Sequence, residues 1–287
     1  MGTVNPAADD GELAGPNIML MGPSGTGKTH ALAKLVEWAE PRGITVCVLF
    51  TENGLETLLG YWKDRNIAVP KNLAWHQAFT KPLTLKALME GADKVGKLSY
   101  EALTKTSDPN RSGENNAFLK ILTALSNFPD DRTGNKLGPV DSWGLDKIFA
   151  IDSLSELSNA AAKMVIGNKP TMAPPDYGVA QNNLLNFLRL CTQGMRCTFV
   201  LTAHVARETD EITGAVKIMV KAIGKALSGE LPQLFSDTIY TVREGTSFYW
   251  DTAAANADVK TRNLPIASKQ APDFGIIMDK WEKRSKA

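Results

Sequence analysis

Short apolar runs separated by polar or Gly/Pro-containing breaks alternate along this chain with stretches whose apolar residues recur every three to four positions. The runs Asn17 to Met21, Ile44 to Phe50, Lys147 to Ser153 and Cys197 to His204 are too short and too continuously apolar for surface helices, and they predict buried strands; Leu73 to Gln77 predicts a shorter one. Helical spacing is predicted over His30 to Glu40, Leu55 to Trp62, Leu83 to Lys97, Ala117 to Phe128, a stretch after Ser153, and Val179 to Gln193. The polar breaks Ser107 to Gly113 and Pro129 to Ser142 are expected as surface loops, and Lys169 to Tyr177 as a Pro-rich loop. Strand, helix, strand in succession predicts an α/β fold with a mainly parallel sheet and helices on both faces. Near the end, Thr238 to Arg243, Ser247 to Asp251 and Phe274 to Met278 read as short strands that add an antiparallel edge. Residues 1–15 are expected as a flexible tail, and 16–287 as one domain with a helical insertion at about 83–142.

The first strand runs into Gly22-Pro23-Ser24-Gly25-Thr26-Gly27-Lys28-Thr29, a complete G-x-x-x-x-G-K-[ST] phosphate loop followed by a helical pattern. Glycines there let backbone N–H groups wrap phosphate oxygens, Lys28 reaches the β/γ oxygens, Thr29 offers a hydroxyl to Mg²⁺, and the helix presents its positive end. ATP and Mg²⁺ are the ligands this pattern implies. Ile148-Phe149-Ala150-Ile151-Asp152 has the form of a Walker B strand, which delivers one carboxylate beside Thr29 for the metal; a strand-end Asp capping a helix is the plainer alternative. Phe50-Thr51-Glu52 places a second acid just past the strand after the phosphate-loop helix, where it can orient and deprotonate an attacking water; pairing with the next helix start is its alternative. Asp152 is followed by Ser153 and not by a second acid, so Glu52 is the available base.

Composition adds boundaries. The 287 residues, 43% hydrophobic and 22% charged, are an ordinary globular balance, and a net charge of +1 means that any nucleic-acid contact must come from a local cluster of Lys and Arg. Cys47, Cys191 and Cys197 are odd in number, and at least two fall in apolar runs, which suits reduced buried thiols better than disulfides or zinc. No apolar stretch approaches the roughly 18 residues of a membrane span. The start of the chain, with Asp9, Asp10 and Glu12, lacks the basic and apolar regions of a signal peptide, so a cytoplasmic location is expected.

Together, the phosphate loop, Glu52 one strand later, and Ile151-Asp152-Ser153-Leu154-Ser155-Glu156-Leu157 resemble the RecA/RadA/KaiC-like ATPase core, and within it the short phage-encoded RecA-like ATPases grouped with single-strand annealing recombinases. Tyr177 to Leu190, Phe199 to His204, Gly224 to Tyr240 and Lys260 to Pro265 extend the resemblance over about residues 16–266 by order and spacing. It implies a RecA-like P-loop fold, an ATPase stimulated by DNA, and a role on single-stranded DNA in phage-type recombination, annealing or replication. It also implies a homo-oligomer, ring or filament, with ATP between subunits, in a bacterial host's cytoplasm; a single-strand-binding protein is a further expected partner.

Residue by residue, the resemblance makes His204 a γ-phosphate sensor, and Lys260 and Arg262 a Lys-x-Arg pair inserted into the neighbouring subunit's site. A core or capping histidine and an exposed edge strand are the respective alternatives. Two segments match the position of DNA-lining loops: one carries Lys163, Lys169 and Tyr177, the other Arg207, Lys217, Lys221 and Lys225. Glu208, Asp210 and Glu211 dilute the second, so a solvated loop stays open as its reading. No added DNA-binding domain of the RecA or RadA kind is expected, which puts strand exchange in doubt and leaves binding and annealing as the less demanding activities. Two other readings remain: a ring translocase or helicase motor, and a structural or regulatory protein whose assembly is locked by nucleotide. A small-molecule kinase leaves Glu52, the Asp-Ser pair and the Lys-x-Arg segment unexplained.

Overall fold

The computed structural model describes residues 13–78, 84–99, 102, 116–167, 172–209 and 214–286. The strands are β1 (Asn17–Met21), β2 (Thr45–Phe50), β3 (Leu73–Gln77), β4 (Lys147–Asp152), β5 (Thr198–Ala203), β6 (Val205–Thr209), β7 (Val216–Val220), β8 (Asp237–Glu244) and β9 (Ser247–Asp251). The helices are α1 (Lys28–Ala39), α2 (Leu55–Lys63), α3 (Leu85–Gly96), α4 (Ala117–Leu125), α5 (Leu154–Ile166), α6 (Pro174–Arg189), α7 (Lys225–Glu230) and α8 (Phe274–Ser285). Seven strands form one sheet in the order β3-β2-β4-β5-β1-β8-β9. Every neighbouring pair is parallel except β8 with β9. This is the expected α/β architecture, a mainly parallel sheet with an antiparallel edge strand, in which β5 lies between β1, the strand that leads into the phosphate loop, and β4, the strand that ends in Asp152.

The continuous apolar runs are explained by burial on both faces. Because side chains alternate along a strand, Met19, Met21, Cys47, Leu49, Phe149, Ile151, Phe199 and Leu201 face one layer, with Phe118 and Ile121 of α4, Leu157 of α5 and Leu184 of α6. Ile18, Leu20, Val46, Val48, Phe50, Ile148 and Val200 face the other, against Leu32 and Val36 of α1, Leu58 and Trp62 of α2, and Ile277 of α8. Cys47, Cys191 and Cys197 are free and buried. Burial pushes the Cys197 thiol up to about 12, so it stays protonated and inert at neutral pH.

Four expectations need correction. Phe274 to Met278 is not a strand but the start of α8: Phe274, Ile277 and Met278 lie at helical spacing on the buried face, and Asp273 caps the helix by accepting from Gly275 N at 2.8 Å. The Pro-rich loop ends earlier than expected, because Pro174 and Pro175 occupy the first turn of α6, where a missing N–H costs nothing, and Asp176 Oδ2 accepts from Ala173 N at 2.9 Å. The segment from Pro129 to Ser142 is not wholly a surface loop. Phe128, Asp130, Val140 and Trp143 are buried against the sheet, and the Asp130–Asp131 turn covers the edge of β3, with Asp131 N donating to Trp75 O and Gln77 N to Asp131 Oδ2. Fourth, the segment after His204 folds as the antiparallel hairpin β6–β7 rather than as an open loop. Of the expected tail, residues 1–12 lie outside the described residues, while Ala14 O and Gly15 N are tied to Trp281 Nε1 and Arg196 O. The Ser107 to Gly113 break also lies outside them.

Among the described residues, no helix is long and apolar enough to cross a membrane.

Candidate nucleotide site

Parallel strands bring their C-terminal ends to one edge, and that is how residues far apart in sequence meet. Phe50 and Asp152 are in register, as are Met21 and Ala203, so the segments leaving β1, β2, β4 and β5 open together. They form a cleft of about 560 Å³ lined by Ser24, Gly25, Gly27, Lys28, Thr29, Glu52, Asp152 and His204, among others.

The loop wraps tightly. Gly27 adopts φ 83° and hands the chain into α1 with no side-chain cap on the helix, whose first N–H groups therefore face the cleft unclaimed by a capping side chain. A Cβ on Gly27 would also lie 2.9 Å from the Phe248 ring. Thr26 Oγ1 donates to Pro23 O at 2.8 Å and meets Thr241 Oγ1 of β8 at 2.7 Å, which fixes the loop against its neighbouring strand. Lys28 is buried, and its Nζ donates to Gly22 O at 2.9 Å and Pro23 O at 2.7 Å. Burial lowers the Lys28 pKa to about 8, opposed by the charges of Asp152 and Glu52.

Asp152 sits at the tip of β4 and is buried. Thr29 Oγ1 donates to its Oδ2 at 2.8 Å, and Thr202 Oγ1 of β5 donates to its Oδ1. Burial raises the Asp152 pKa against those two hydrogen bonds. Gly54 must lack a side chain, since a Cβ there would lie 2.5 Å from Asp152 Oδ2. Thr51 couples the two acidic tips: its Oγ1 donates to Ser153 O at 2.7 Å and accepts from Ser153 N at 2.9 Å. Next to it, Glu52 Oε1 lies 3.3 Å from His204 Nε2, and the hydrogen bond from His204 holds the Glu52 carboxyl below its ordinary value despite partial burial.

The donor set fits Mg²⁺ with a nucleotide. Mg²⁺ is commonly held by one or two carboxylates plus phosphate oxygens and waters, not by an all-protein cage. Thr29 and Asp152 supply a hydroxyl and a carboxylate side by side, and among the described residues no group of three His, Cys, Asp or Glu forms a self-contained metal site.

Other expected site residues lie elsewhere. Lys260 and Arg262 are at the opposite end of β8 from the loop and do not line their own chain's cleft. Lys260 N and O exchange hydrogen bonds with Thr238, while the buried Asp237 carboxylate accepts from Thr261 Oγ1, Arg262 N, Asn263 N and Asn263 Nδ2. Arg207 lies on β6 and Lys217 on β7, where Lys217 Nζ pairs with Asp258 at 3.0 Å. Lys221 follows β7, and its N–H donates to His204 O at 2.8 Å, so the hairpin is rooted on the residue that bonds Glu52. Lys225 begins α7, Lys163 lies in the last turn of α5, and Tyr177 is exposed on the first turns of α6. Gln181 Nε2 of α6 donates to Ile223 O at 2.9 Å, linking the two segments. Lys169 lies outside the described residues.

Sequence reasoning missed Arg243 and Phe248, which line the cleft from β8 and β9, and Thr202 and Thr51, which hold the acidic tips. It also missed His30, whose ring packs edge-on to Tyr61 at 4.6 Å and beside Phe248 at 5.7 Å.

No protein-family model matches the sequence, and no curated protein matches it either. Solved structures similar in outline include an ATPase from the type III secretion system of pathogenic bacteria, at 15% identity and TM-score 0.42 over 82% of this chain and 55% of that one. This chain thus spans about half the length of that ATPase. The RadB recombinase is similar at 10% identity and TM-score 0.39, over 89% of this chain and 85% of its own. The flagellar accessory protein FlaH from Methanocaldococcus jannaschii is similar at 13% identity and TM-score 0.37, over 90% and 84%.

Proposed function

We propose that this protein binds and hydrolyses ATP and that it uses the nucleotide cycle to control a grip on single-stranded DNA. The observation that carries the reading is the meeting of Lys28, Thr29, Asp152, Glu52 and His204 around one cleft at the C-terminal edge of the sheet. Mg-ATP, when bound, supplies the phosphoanhydride to be cleaved. The phosphate-loop residues 22–29 hold the phosphates, and Thr29 with Asp152 holds the metal. Glu52 orients the attacking water and takes its proton, because a carboxylate kept ionised by a neighbouring donor is ready to accept one. His204 reports on the terminal phosphate and transmits the change to the β6–β7 hairpin through the Lys221 bond.

Lys260 and Arg262, which do not line their own chain's cleft and whose backbone the Asp237 clasp holds at the far end of β8, act on the site of a neighbouring copy, so the enzyme works as a ring or filament. The hairpin and the segment around Tyr177 meet the DNA backbone, in a phage-type recombination, annealing or replication role, with the chain folded as one domain. One observation favours the rival reading of a nucleotide-locked assembly protein: Lys217 is already neutralised by Asp258, and Glu208 stands opposite it in the hairpin. ATP turnover with and without single-stranded DNA decides between them. DNA stimulation that fades as salt rises supports the DNA-gated ATPase. Turnover indifferent to DNA favours the lock, and absence of turnover in all conditions sinks hydrolysis.

A further inference from the structure

The β8–β9 hairpin sets a second cation at the phosphate loop, one that no sequence motif announces. β8 runs parallel beside β1, with Tyr240 level with Met21, so the residues past Tyr240 reach the loop that leaves Met21. Arg243 is there. Its Nη1 lies 4.0 Å from where a Cβ on Gly25 would stand, and it lines the same cleft as Lys28, Glu52 and Asp152.

The guanidinium is oriented yet unspent. Nε donates to Gly245 O at 2.9 Å, within the turn joining β8 to β9, and the Cζ atom sits 5.9 Å from the Phe248 ring centroid. Among the described residues, no carboxylate pairs with Arg243 and neither Nη has an acceptor. The acids of the cleft are engaged elsewhere: Asp152 with Thr29 and Thr202, Glu52 with His204. An arginine held by one edge, with its fork free beside a glycine loop, has the geometry for two-point recognition of a phosphate group. Charge points the same way. Lys28 is buried beside Thr29 and Asp152, whereas Arg243 reaches the Gly25 turn of the loop, and among the described residues these are the Lys and Arg side chains that line the cleft.

We propose that Arg243 is a phosphate-binding residue of its own chain's loop, closing over the polyphosphate from the β8–β9 hairpin. This rests on the nucleotide reading above and adds a residue to it. The test is equilibrium binding of ATP and of inorganic tripolyphosphate, which has phosphates but neither base nor ribose, to the parent, Arg243→Ala and Arg243→Lys. Both ligands should bind Arg243→Ala about ten- to a hundredfold more weakly, the worth of a charged hydrogen-bond pair. Arg243→Lys should recover only part, since a lysine keeps the charge and loses the fork. Arg243 is exposed, so the melting temperature of Arg243→Ala should match the parent's.

Parental affinity of Arg243→Ala for both ligands overturns the proposal while leaving the nucleotide reading intact. A loss for ATP with none for tripolyphosphate also overturns it, by moving the contact to base or ribose. A parent protein that binds neither ligand overturns the nucleotide reading itself, and this proposal with it.

Discussion

Glu52 Oε1 lies 3.3 Å from His204 Nε2, which joins the acid two residues past β2 to the residue that follows β5, across β4 between them. The contact sets the protonation of the proposed base. Because His204 lowers the Glu52 pKa, Glu52 is ionised at and above the ordinary carboxylate range, and activity should fall only as pH drops below it. Replacing His204 by Ala removes the largest cause of that shift, so that the upward push of partial burial is opposed only by the smaller effects of Ser153 and Lys28. The acid limb of the kcat profile should therefore move upward in pH. A limb in the same place would show that His204 does not tune Glu52.

Lys28 carries the opposite linkage. Its pKa of about 8 in the fold, against 10.5 when solvated, means that folding disfavours the ammonium. Below pH 8 the lysine is charged in both states and the full cost is present. From about pH 8 to 10.5 the unfolded chain holds a proton that the fold has shed, so stability of the ligand-free protein should rise with pH by at most about 3 kcal/mol from this group. Phosphate binding needs the charged form. ATP affinity should therefore weaken about tenfold per pH unit above 8, with uptake of up to one proton, measurable by titration calorimetry in buffers of different ionisation enthalpy. Lys28→Met should abolish binding while the fold melts no lower than the parent.

Asp237 is the structural anchor of the Lys260 to Asn263 segment. Its buried carboxylate accepts four hydrogen bonds from that segment, two of them from backbone N–H groups. Asp237→Ala leaves those donors without acceptors and should cost about 3 kcal/mol or more by chemical denaturation. A loss under about 1 kcal/mol would mean that the clasp contributes little.

The proposed role of Lys260 and Arg262 across a subunit boundary is open to a mixing experiment. Glu52→Gln alone and Lys260→Ala/Arg262→Ala alone should each be nearly inactive. Mixed one to one, a Glu52→Gln subunit can still offer its cations to a neighbour with an intact base, and roughly a quarter of parental turnover should return if pairing is random. No recovery, with mixed assembly verified, would place the two cations outside the reaction.

Most of the site could be read from the sequence because each part ends an apolar run: Met21 before the phosphate loop, Phe50 before Glu52, Ile151 before Asp152, Ala203 before His204. A buried parallel strand has one outlet for chemistry, and that outlet is local in sequence. What was hidden depends on which strands lie side by side. Arg243 and Thr241 join the loop only because β8 pairs with β1, and Thr202 reaches Asp152 only because β5 lies beside β4. No local pattern marks those pairings. The stretch Phe274 to Met278 misled for another reason: five residues rich in Ile and Met fit either period, and the deciding features, the Asp273 cap and Trp281 one turn further on, fall outside it.

The central claim is that Glu52 drives hydrolysis of a nucleotide held by the phosphate loop, and a single-turnover experiment on Glu52→Gln tests it most directly. With ATP binding measured on the same sample, affinity should stay within about threefold of the parent, while the hydrolysis rate constant falls at least about a hundredfold. A variant that binds ATP normally and cleaves it at the parental rate would contradict the account.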